Sequence, residues 1–127
     1  MHTAFGQVVD PLFTPPWNRC TQDTVACLEE LGFRLLSRDE TAASLESSVL
    51  KQVCVNIDWS LMMRVSPNPL ALLDQAIAHA LETNALTGIM LHHADMAGES
   101  LTSLVQLLAV FAGHDNVQAL LLRETLT

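Results

Sequence analysis

The chain has 127 residues, half of them hydrophobic and 16% charged. That is enough for one core, while a complete (β/α) barrel usually takes about 200 residues or more. A net charge of −8 with only six Lys and Arg removes the attraction on which phosphate-backbone binding depends, so no nucleic-acid partner is expected. No basic leader precedes an apolar run, and no apolar segment reaches the roughly 18 to 20 residues of a membrane helix, so a cytoplasmic protein with no membrane partner is expected.

Residues 1–10 carry no strand pattern and read as a linker or the tail of a preceding helix. Leu12-Phe13-Thr14 is a short apolar run stopped by Pro15-Pro16, as at a strand end, since proline cannot continue a ladder. A helix follows, with Thr21 as N-cap, Val25, Leu28 and Leu31 at helical spacing, and Gly32 at the left-handed closing position. Phe33 to Leu36 reads as a second strand. Residues 37–51 are polar with weak periodicity, a loop carrying a marginal helix.

Gln52 to Ile57 is nearly continuous in apolar, β-branched character, as in a strand covered on both faces, and it ends at Asp58-Trp59. Asn68-Pro69 starts a helix whose face is Leu70, Leu73, Ile77, Ala80 and Leu81. Thr87 to Leu91 is a fourth strand. Ser100 to Ala112 is a helix whose apolar surface exceeds one narrow stripe, closed by Gly113. Val117 to Leu122 completes five strands. The expected fold is therefore a single α/β domain over residues 1–127, mostly parallel, or one half of a larger barrel.

Three of these strands end in polar or aromatic clusters: Pro15-Pro16-Trp17-Asn18, Asn56-Ile57-Asp58-Trp59 and His92-His93-Ala94-Asp95. In a parallel sheet all three fall on one rim, where ligands bind because helices cover the faces. Asp58 reads either as a carboxylate that orients a catalytic histidine or as a cap for the next turn. Trp59 reads either as a groove wall that stacks on a sugar or as a core plug, and Trp17 as a presented aromatic or part of a strand stop. His92 suits general acid/base work or a structural role. A metal site from His92, His93, Asp95 and Asp58 would be generic in spacing. His79 and His114 read as structural, and Glu29, Glu30, Asp39, Glu40, Asp74 and Glu82 as solvated surface. Cys20, Cys27 and Cys54 have no zinc or disulfide spacing; they read as reduced packing residues, with a reactive thiol at Cys20 as the functional alternative.

In this order and spacing the clusters resemble the second half of the polysaccharide deacetylases, the NodB-homology carbohydrate esterases. Phe13-Thr14-Pro15-Pro16-Trp17-Asn18-Arg19 is similar to their Arg-x-Pro-aromatic segment, Asn56-Ile57-Asp58-Trp59 to their Asp-Trp segment, and Gly88-Ile89-Met90-Leu91-His92-His93 to their Leu-x-His segment. The likeness runs from about Phe5 to the end of the chain. It implies a distorted (β/α) barrel in which a divalent metal such as zinc activates water against an N- or O-acetyl group. It assigns proton donation to the leaving group to His92, its support to Asp58, and the sugar groove to Trp17, Trp59, Asn18 and Arg19, the last standing in for an arginine where this chain has Thr14.

Nothing here resembles the family's Thr-Phe-Asp-Asp and His-x-x-x-His segments, so no cofactor is expected in this chain. The expected function is that of a deacetylase-like protein or fragment, inactive alone, completed by an N-terminal half or by another copy. A non-enzymatic, self-associating α/β module is the alternative, motivated by the high apolar content and the broad apolar helix at 100–112.

Overall fold

A computed structural model describes residues 9–126. Four strands run in the order β1 (Leu12–Phe13), β2 (Leu35–Asp39), β3 (Lys51–Asp58) and β4 (Gly88–Met90), so sequence neighbours are sheet neighbours. The pairing is parallel: Leu12 lies opposite Leu35, and β2 meets β3 from Leu35–Lys51 to Asp39–Val55. The chain divides into two compact units, one of residues 9–55 with 122–126, the other of residues 56–121.

In the first unit, α1 (Gln22–Glu30) starts at Thr21, whose hydroxyl accepts from the Thr24 N–H at 3.4 Å, and its buried side is Val25 and Leu28. These pack with Phe33, Leu36 and Leu50. The turn beyond α1 needs a positive φ, which Gly32 supplies at +78° without steric cost. Cys20 lies partly buried beside this cluster, whereas Cys27 and Cys54 are exposed and so are not packing residues; each sits on the outward side of its element.

Residues 40–50 form no helix; side chains hold them instead. Gln22 donates to the Glu46 carbonyl and accepts from its N–H, the Ser47 hydroxyl accepts from Val49 and Leu50 and donates to Glu29, and Arg38 donates to the Ala43 carbonyl and to Gln52 Oε1. Such local side-chain bonds compete directly with helical ones. Strand β2 begins later than expected because the Phe33 N–H still closes α1 on the Leu28 carbonyl, and it ends later because Ser37 and Arg38 are buried polar residues, invisible to an apolarity criterion.

In the second unit, α2 (Trp59–Val65), missed in the sequence, follows β3 directly; α3 (Pro69–Thr83) starts at Asn68-Pro69 as expected; and α4 spans Gly98–Ala112. Ile57, Trp59, Leu73, Ile77 and Ala80 form the core, and Leu104, Leu107 and Phe111 of α4 pack on it. The expected fifth strand at 117–122 is absent: residues 117–121 have no regular structure and Leu122–Leu126 is a 3-10 turn. Only Val117 in that run is β-branched, while Gln, Ala and Leu favour helical backbone. The expected linker at 1–10 falls mostly outside the described residues. No helix among those described is long and apolar enough to cross a membrane.

Candidate functional site

In the second unit, β3 and β4 bring Asp58 and His92 together. Asp58 is the last residue of β3, and His92 lies two residues beyond β4, where it precedes a 3-10 turn at His93–Asp95. Asp58 Oδ1 stands 3.7 Å from His92 Nε2, with both side chains partly open to solvent. The same oxygen accepts from the Leu61 N–H at 3.0 Å and so caps α2. Of the two readings of Asp58 the cap is realised, and the capping oxygen also faces the His92 imidazole. At that separation the pair is an electrostatic contact and not a hydrogen bond.

The capping geometry separates two substitutions. Asp58→Asn keeps a good N-cap and removes the charge facing His92, whereas Asp58→Ala removes both. Urea unfolding is expected to place Asp58→Ala about 1 kcal/mol below wild type and Asp58→Asn within about 0.5 kcal/mol of it.

Trp59 is 1% exposed and fills the core, so the indole offers no face to a ligand. It follows the capping residue directly, and the first turn of α2 carries it inward. Trp17, in the first unit, is 91% exposed. It belongs to a 3-10 turn at Pro16–Asn18, and both Trp17 and Asn18 have positive φ, 59° and 55°. That region is costly for a bulky L-residue, and the double-proline entry helps to set it. Asn18 is buried.

Arg19 is engaged beyond β1: it donates to the Thr41 hydroxyl at 2.8 Å and lies 3.7 Å from Asp39. Asp39, read in the sequence as solvated surface, instead closes β2 and accepts from both the Thr41 hydroxyl, at 2.5 Å, and the Thr41 N–H, at 2.8 Å. The Thr41 hydroxyl bond is the main cause that holds the Asp39 carboxyl below its ordinary range, with the Thr41 N–H and the Arg19 charge adding to it against the opposing effect of burial. A signal was present in the sequence: Asp-x-Thr is the spacing of an Asx turn. A depressed carboxyl contributes stability above the unfolded-state value near 3.9 and loses it as pH falls through the folded-state value. Thr41→Val is therefore expected to be less stable than wild type at neutral pH, with the gap closing in acid, as read by urea midpoints across pH.

An open hollow of about 260 Å³, lined by Arg38, Asp39, Glu40, Ser44, Gln52 and Cys54 among others, lies in the first unit. His79 is exposed on α3, and His114 Nδ1 accepts from the Asn116 N–H, a local bond. Among the described residues no three His, Cys, Asp or Glu side chains are disposed to hold a metal ion, the set His92, His93, Asp95 and Asp58 included. The chain matches no family model, no curated protein and no solved structure.

Proposed function

We propose that this chain is a polysaccharide-deacetylase-like module that supplies the imidazole–carboxylate end of a carbohydrate site and does not deacetylate by itself. One observation carries the reading: Asp58 and His92, from the ends of neighbouring strands, stand 3.7 Å apart and partly open to solvent. The sequential strand order supports it, since doubly wound sheets reverse order at a switch point whereas a (β/α) barrel does not. In this reading the protonated imidazole of His92 donates to the departing amine or alkoxide, and the Asp58 carboxylate orients it. Proton donation alone contributes about 10²–10⁴-fold.

The family's divalent metal has no fitting donor set among the described residues, so no step here runs through one. Trp59 is a core residue and drops out of the groove. Trp17 belongs to the first unit, and the reading does not draw on it.

The test is titration of N-acetylglucosamine oligomers into protein with labelled histidine imidazoles, followed by NMR. Saturable shifts at His92 with none at His79 or His114, weakened about fivefold by Asp58→Asn, roughly 1 kcal/mol of binding, are expected, together with no release of acetate. An unmoved His92 at millimolar oligomer, or acetate release by the chain alone, overturns the proposal.

A further inference from the structure

The hollow of the first unit holds a buried cation that is paired with no anion. Arg38 is buried, and its guanidinium bonds only neutral acceptors, the Ala43 carbonyl and Gln52 Oε1. Of the five N–H groups of an arginine, these bonds leave Nε buried with no partner, and among the described residues no carboxylate forms an ion pair with Arg38. Buried charges are ordinarily paired, because an uncompensated one is costly to hold out of water.

Glu40 lies on the same side. Its N–H bonds the Val55 carbonyl, which continues the ladder of β2 by one residue, and residues two apart on a strand face the same way. Both Arg38 and Glu40 line the hollow, together with Ser44, Gln52 and Cys54, and Cys54 is the in-register partner of Arg38 on β3. A guanidinium and a carboxylate thus share one space of about 260 Å³ without bonding each other.

We propose that this hollow binds a small zwitterion of the α-amino-acid class, its carboxylate on Arg38 and its ammonium on Glu40. The charges of the lining select that class. A simple anion meets Asp39 and Glu40 in a chain of net charge −8. A simple cation meets the buried guanidinium. A zwitterion is neutral overall and brings to each wall the charge opposite to it. Spacing narrows the choice further. Positions 38 and 40 are about 6.6 Å apart along a strand that rises about 3.3 Å per residue, and a molecule with both charged groups on one carbon bridges such a gap with a bond of about 2.8 Å at each end. The proposal concerns the first unit alone and does not depend on the carbohydrate reading, whose site lies in the second.

A ligand of about six heavy atoms reaches roughly millimolar affinity at ordinary ligand efficiency. Titration of L-alanine into the full chain, followed by NMR up to about 50 mM, is expected to give saturable shifts at the Arg38 Nε–H and at the Gln52 and Cys54 amides. Acetate, methylamine and γ-aminobutyrate are each expected to bind at least about tenfold more weakly. This comparison uses wild-type protein, since Arg38→Ala would also loosen residues 40–50. Glu40→Gln, at an exposed position, keeps the side-chain shape without the charge and is expected to weaken alanine at least about fivefold. No saturable shift at about 50 mM alanine, any of the three control molecules binding as tightly as alanine, or a folded Glu40→Gln with unchanged affinity overturns the proposal.

Discussion

Replacing Trp59 with alanine is expected to lower stability by about 3–5 kcal/mol, the range for truncating a fully buried large aromatic, with a matching fall in the urea midpoint read by far-UV circular dichroism. Trp59 is 1% exposed and packs among Ile57, Leu73, Ile77 and Ala80, with Leu104, Leu107 and Phe111 of α4 against the same cluster. Removing the indole leaves a cavity between helices that cannot collapse without moving α3. Trp59→Phe is the informative partner. The indole Nε1 is buried with no hydrogen-bond partner among the described residues, and an unpartnered buried donor costs about 1–3 kcal/mol. The phenyl ring loses volume but removes that donor, so Trp59→Phe is expected to retain more than half of what Trp59→Ala loses. A Trp59→Ala variant within 1 kcal/mol of wild type would contradict the packing described.

Arg38→Ala is expected to cost about 2–3 kcal/mol, the scale of losing hydrogen bonds from a charged group. It should also accelerate hydrogen exchange at Glu46 and Leu50. Arg38 is 8% exposed, and its guanidinium joins the Ala43 carbonyl at 2.8 Å to Gln52 Oε1 at 2.7 Å, fastening residues 40–50 to β2 and β3. Gln52 passes the hold onward by donating to the Leu45 carbonyl. Arg38→Lys is not expected to rescue the variant, because one ammonium on a flexible stem does not reproduce a planar fork spanning two acceptors. Protection at Glu46 and Leu50 equal to wild type in Arg38→Ala would show that the other side-chain bonds suffice.

The sheet was legible where apolar character and burial coincide. Gln52 to Ile57 matches β3, Asn68-Pro69 marks the start of α3, and Thr21 caps α1, because each depends on local chemistry that tertiary packing reinforces. Legibility failed where burial is polar or the apolar signal is ambiguous. Ser37 and Arg38 extend β2 through hydrogen bonding that hydrophobic periodicity does not register. Leu120-Leu121-Leu122 reads as strand by hydrophobicity, yet its residues are helix formers, and it leads into a 3-10 turn. In the candidate site, the meeting of Asp58 and His92 was legible because Asp58 ends one strand and His92 follows the end of another, and the two strands are sheet neighbours. The inward turn of Trp59 was not decidable, since it depends on α2 starting at the residue after Asp58, and Asp39 was hidden among acidic residues until Thr41 and Arg19 gathered round it.

Because a single oxygen of Asp58 both holds the first turn of α2 and faces His92, a movement of that side chain is felt at both places. Any molecule that draws the carboxylate toward the imidazole loosens its grip on the Leu61 amide, and by reciprocity a fraying α2 frees the carboxylate to swing. Occupancy at the strand ends would then be readable at a distance, as altered solvent exchange of the backbone amide of Leu61.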